Sequence, residues 1–140
     1  AGFAALPTSE SRDDGQELRD CYIAAAGRCA PPGNKPLPAE LDRCRPYLAA
    51  ELRLLRRTRV VLTLGRIGHE AWLRASGAWE RLPARERPAF AHGAEHMFED
   101  GTTLLASFHP SRQNTQTGRL TPVMWQRVFT RARELVDAAG

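Results

Sequence analysis

Apolar and polar positions along this chain change period from block to block. Val60-Val61-Leu62-Thr63-Leu64 is a continuous β-prone run closed by Gly65, the pattern of a strand covered on both faces. Cys21 to Gly27 (Cys-Tyr-Ile-Ala-Ala-Ala-Gly) is short, apolar and bounded by charge, and predicts a second buried parallel strand. Between them, from Pro38, the residues Leu41, Cys44, Leu48, Leu52 and Leu55 recur at steps of three and four. That spacing lays one apolar stripe on a helix, with Arg43, Arg45, Arg53, Arg56 and Arg57 mostly off it. Ile67 to Ala75 predicts a short helix ended by Gly77, and Pro83 to Ala94 predicts a loop. Glu95 to Phe98, then Glu99-Asp100-Gly101, then Thr103 to Phe108 has the form of a hairpin. Thr121 as N-cap and Pro122 in the first turn open a final helix whose buried stripe is Met124, Val128, Ala132 and Leu135.

Strands alternating with helices predict an α/β fold, three layers deep, with helices on both faces of a mostly parallel central sheet. The 140 residues fit one domain able to bury a core. Ala1 to Asp20 starts with a short apolar piece, turns polar at Thr8-Ser9-Glu10-Ser11, and reads as a helix end and a linker. With no initiator Met and no strand before it, that start predicts a chain cut from something longer.

Charge adds a partner class. Lys and Arg number 20 against 16 Asp and Glu, a net charge of +4, and every basic residue but Lys35 is Arg. Arginine grips phosphate bidentately, which suits DNA; a GC-rich coding sequence accounts for the same bias. No apolar run approaches the ~18 residues of a membrane span. Residues Ala1 to Glu17 lack the pattern of a secretory signal, so a cytoplasmic protein is expected. There the three cysteines, Cys21, Cys29 and Cys44, stay thiols or serve as metal ligands. His92 and His96 have helical spacing, but Gly93 and the loop around them argue against a metal pair.

The chemistry concentrates after the second hairpin arm. His109-Pro110-Ser111-Arg112-Gln113-Asn114-Thr115-Gln116-Thr117-Gly118-Arg119-Leu120 carries many hydrogen-bonding groups and one aliphatic side chain, and it leaves the carboxyl end of a strand. Loops in that position are where α/β proteins place binding and catalysis. Taken alone, a strand-end His is more often packed against neighbours and bonded to a carbonyl than catalytic.

The ten residues His109 to Gly118 resemble the second active-site motif of the uracil-DNA glycosylase superfamily, and the Gln-Asn-Thr-Gln-Thr-Gly portion resembles its type-5 branch, prokaryotic enzymes with an iron–sulfur cluster. Cys29-Ala30-Pro31-Pro32-Gly33-Asn34-Lys35-Pro36 resembles the same branch, and the similarity covers most of the chain, more thinly between Arg74 and Gly101. In the related type-4 branch an Asn lies on the strand five residues before the first cysteine of this half; here that position is Ala24, which favours type 5.

The resemblance implies roles. His109 would donate to a base oxygen and stabilise the leaving uracil anion. Arg112, Gln113 and Asn114 would enter the minor groove in place of an extruded nucleotide, since a base must leave the stack before chemistry reaches it. Ser111 and the loop N–H groups would hold phosphates, and Arg112 and Arg119 would contribute to electrostatic binding. Asn34 is either the uracil reader, its amide matching the O4 and N3–H edge, or simply a turn residue in Gly-Asn-Lys-Pro. Cys29 and Cys44, with fourteen residues between them, match two of the four ligands of a [4Fe–4S] cluster. Cys21 has no matching role and is expected to be buried. The implied protein is a monomer that removes uracil from double- or single-stranded DNA. Its first motif lies upstream of Ala1, so the water activator and the aromatic that stacks on the base have no candidate here. A non-catalytic DNA-binding or iron–sulfur interaction domain on the same fold is the alternative. A phosphate-binding enzyme of another kind would need a Gly-rich phosphate loop, which the sequence lacks.

Overall fold

The computed structural model describes residues 1–28, 33 and 35–140. Among the described residues the elements follow in the order α1 (Pro38–Leu54), β1 (Val60–Leu64), α2 (Gly65–Ala75), α3 (Ala78–Arg81), a 3-10 turn (Ala84–Glu86), β2 (Glu95–Met97), β3 (Thr103–Ser107), α4 (Arg112–Gln116) and α5 (Pro122–Ala139). The sheet order is β1-β3-β2. β1 and β3 run parallel, from Val60 opposite Thr103 to Leu64 opposite Ser107. β2 and β3 are the antiparallel arms of the expected hairpin.

β3 is central, and all five of its residues are buried. Its alternating side chains feed two cores. Leu104 packs with Leu73 and Ala78, among Val61, Trp72, Trp79, Leu82 and Phe98, on the α2 face. Leu105 packs with Val128 and Ala132 of α5, beside Phe3, Val60 and Leu62, on the other face. The α/β reading with helices on both faces therefore holds, on a small mixed sheet with one parallel and one antiparallel pair among the described residues, and α1 lies outside α2, against it. The α1 stripe is as expected: Leu48 is buried and its stripe partners are half-buried. The α5 stripe centres on Val128 and Ala132, both buried, and Thr121 caps the helix by accepting the Met124 N–H.

Three expectations are corrected. Cys21–Gly27 is not a strand. It joins no ladder, and Cys21, Tyr22, Ile23, Ala24 and Ala25 are exposed, Ile23 at 73%. Three alanines offer little side chain to pack, and a strand without a neighbour leaves its N–H and C=O groups unpaired. Cys21, expected buried, is exposed with them. Residues 1–20 are a closed loop and not a helix end: Ala5 and Arg19 donate to Glu17 and Phe3 carbonyls, and Asp14 accepts from Ser9, Glu10, Ser11 and Gln16. Those bonds, the one from the Gln16 N–H first, hold the Asp14 carboxyl down to about 2. Finally, the stretch 109–120 is not loop throughout, because Arg112–Gln116 forms a short helix. Its polar residues satisfy one another instead of the solvent alone.

Candidate active site

The site is built from the end of β3 outward. Ser107 is fully buried, Phe108 half-buried and His109 exposed, so within three residues the chain passes from core to surface. Beside it, β1 ends at Leu64 and turns into α2 through Gly65, whose φ is +83°. A Cβ on Gly65 would lie 3.0 Å from the Cβ of His109. A side chain there would meet both backbone strain and His109 itself, so glycine is what lets the two strand ends close up.

The chain after His109 is fixed by its own polar groups. The Ser111 hydroxyl accepts the Asn114 N–H at 3.3 Å and caps α4. The Asn114 side-chain amide reaches back and donates to the His109 carbonyl at 2.9 Å, while the Asn114 carbonyl accepts from the Leu120 N–H at 3.0 Å. Leu120, the one aliphatic residue of the stretch, is buried and pins its far end. Arg112 and Gln113 project from the exposed side of this turn.

Beneath His109 lies an aromatic cluster. The Phe108 ring sits 5.0 Å from His92 and 6.2 Å from Phe90, and the Arg119 guanidinium lies 4.7 Å from its centre. Arg66, the second residue of α2, stands over Phe90 at 5.3 Å. Arg66, Arg112 and Arg119 thus all spring from backbone around His109, an arrangement that gathers positive charge there. Phe90 is held in turn by buried His69, whose Nε2–H donates to the Pro88 carbonyl at 2.9 Å and whose Nδ1 is 3.3 Å from the Thr63 hydroxyl.

Of the site residues expected from sequence, His109, Ser111, Arg112, Gln113 and Asn114 share this one turn. Asn34 and Cys29 lie outside the described residues. Cys44 is half-buried on α1, where its sulfur accepts the Arg28 N–H at 3.4 Å. Among the described residues, no three His, Cys, Asp or Glu side chains gather as a metal site, and no helix is long and apolar enough to cross a membrane. Gly65, Arg66, Phe90 and His92 were not singled out as site residues beforehand. The place of His92 follows from the register of the structure: extending the pairing of Glu95 with Leu105 by three residues puts position 92 opposite Phe108.

A model of the uracil DNA glycosylase superfamily matches residues 5–133. The chain belongs to that superfamily. Among curated relatives, it is 47% identical over 135 residues to a type-5 uracil-DNA glycosylase of Thermus thermophilus, covering 96% of this chain and 59% of the relative. It is 40% identical over 136 residues to the type-5 enzyme of Mycobacterium leprae, covering 96% and 58%. The corresponding protein of Pyrobaculum aerophilum is 40% identical over 131 residues, covering 94% and 54%. The chain thus spans somewhat more than half the length of these relatives.

Proposed function

We propose that the whole protein is a type-5 uracil-DNA glycosylase, a cytoplasmic monomer of base excision repair, and that this chain belongs to its single catalytic domain. The reading is carried by His109, an exposed imidazole at the end of the central strand, followed by a capped turn that presents Arg112 and Gln113. In the reaction the bond between the sugar carbon and the base nitrogen breaks, and its electron pair leaves with the base. A water oxygen bonds to the sugar carbon, and a proton is returned to the base. His109 donates to a base oxygen, where negative charge grows as the bond breaks. A donor so placed is worth roughly 3–4 kcal/mol because it binds the transition state better than the ground state. Arg112 and Gln113 fill the space left by the flipped nucleotide. Asn114 supports the same turn from within through its bond to the His109 carbonyl, and Asn34 reads the uracil edge.

Cys44 is suited to a [4Fe–4S] ligand: it is half-buried, and its sulfur accepts the Arg28 backbone N–H, the kind of contact that cluster sulfurs take. Cys29 and Cys44 would supply two of the four thiolates that hold such a cluster. Bound there, it would cross-link segments of the fold; no step of the reaction is assigned to it.

The test is single-turnover excision by the whole protein on a uracil-containing duplex and a single strand, read as alkali-labile abasic sites. Wild type is expected to leave them, and His109→Ala to slow their formation by about a hundredfold or more with little change in thermal midpoint. Binding to DNA without base release would identify a non-catalytic domain instead. In a salt titration, Arg112→Ala is expected to lower the slope of log affinity against log salt by about one. An unchanged slope would remove Arg112 from the interface.

A further inference from the structure

We infer that His92 is a positioning residue for His109: its ring nitrogen substitutes for a strand carbonyl and fixes the peptide on which the catalytic side chain is mounted. The inference rests on the reading of His109 as the leaving-group donor.

The argument starts from the ladder. Glu95, His96 and Met97 lie opposite Leu105, Leu104 and Thr103. Continuing that register puts Ala94 opposite Ala106 and His92 opposite Phe108. The Ala106 N–H does reach the Ala94 carbonyl, at 2.9 Å. There the regular pattern stops. Gly93, with φ at +75°, turns the main chain so that its own N–H, and not that of Ala94, bonds the Ala106 carbonyl. The Ala94 N–H closes a turn onto Ala91. In a regular antiparallel pair the Phe108 N–H would next meet the carbonyl of residue 92. Here it meets the Nδ1 of the His92 side chain, at 3.1 Å.

Further contacts reinforce that bond. The His92 ring lies on the Phe108 ring, 5.0 Å between centres and inclined by 32°. The Ser107 hydroxyl donates its one proton to the Phe108 carbonyl at 3.0 Å and braces the same residue from its other end, its oxygen only passing 3.4 Å from Nδ1. An Nδ1 that accepts an N–H carries no proton, which leaves the ring hydrogen on Nε2. The His109 backbone is then held from both directions: through Phe108 by His92 before it, and through its own carbonyl by Asn114 after it. On a side chain that must meet a reacting atom, a shift of about 1 Å can cost about a hundredfold in rate.

The test uses the whole protein and two replacements. His92→Phe keeps a ring to lie on Phe108 and removes the acceptor. His92→Asn sets an amide oxygen close to where Nδ1 stands and removes the ring. With thermal midpoints checked for both, single-turnover excision of uracil should fall about tenfold or more in His92→Phe, at unchanged affinity for the duplex, and His92→Asn should recover most of the rate. Hydrogen exchange at the Phe108 amide should quicken in His92→Phe and stay slow in His92→Asn. Equal losses in the two variants would show that the ring, not the acceptor, matters and would overturn the inference; so would an unaltered rate and exchange in His92→Phe. Should wild type itself fail to release uracil, the proposed function falls. The amide exchange then still decides whether His92 holds this turn.

Discussion

The turn His109–Leu120 and the segment Cys21–Arg28 reverse what their compositions suggest. The first is almost wholly polar and is bound into the fold by its own side chains: Ser111 on Asn114, Asn114 on His109, and Leu120 in the core. The second is mostly apolar and lies on the surface, with Tyr22 and Ile23 exposed at 55% and 73%. Among the described residues, polar atoms tie it down. The Tyr22 hydroxyl donates to Glu51 at 3.0 Å, Arg28 pairs with the same carboxylate at 2.7 Å, and the Arg28 N–H reaches Cys44. Order follows partners. A polar segment that satisfies its own groups is drawn into the fold, and an apolar one without a neighbouring surface among the described residues stays on its outside.

The sharpest way to break the comparison is to unpin the ordered turn. Leu120→Ala removes the buried side chain at its far end and should cost about 2–4 kcal/mol of stability, read by denaturant unfolding. An effect no greater than that of an exposed leucine would mean that the polar bonds alone suffice. Ser111→Ala should cost less, about 1 kcal/mol, by removing the cap of α4. It should also loosen the Asn114 bond to His109, seen as faster amide exchange at Asn114 with the rest of β3 unaffected. The smallest effect belongs to the apolar segment and depends on pH. Hydrogen bonds from Arg28, then from Tyr22, hold the Glu51 carboxyl below its ordinary range. A depressed carboxyl supports the folded tie above its usual titration range and loses that support as pH falls through its lowered value. Acidification should therefore free residues 21–28 for limited proteolysis while the uncharged Ser111–Asn114–His109 bonds persist. Simultaneous release of both regions would mean that they are not independently held.

Much of this was legible in sequence because it depends on local pattern. The β1 run, the hairpin, the α1 and α5 stripes and the Thr121 cap all follow from spacing and end chemistry that a few residues carry by themselves. So did the gathering of His109, Ser111, Arg112, Gln113 and Asn114, since neighbours in sequence cannot be far apart. Cys21–Gly27 was misread for the opposite reason. Whether an apolar run becomes a strand is decided by what lies beside it, and its seven residues carry no record of that. The first twenty residues were misread because one aspartate, Asp14, organises them through four distinct donors.

By itself the sequence determined an α/β chain, the strand that delivers His109, and a family resemblance that the comparisons bear out. Only the tertiary structure decided what stands behind that histidine. Gly65 is 44 residues away and His92 is 17, yet one leaves room for His109 and the other holds the peptide before it. Contacts across a parallel strand pair and around a glycine turn depend on where two backbones meet, and that is a property of the packed sheet rather than of any stretch of residues.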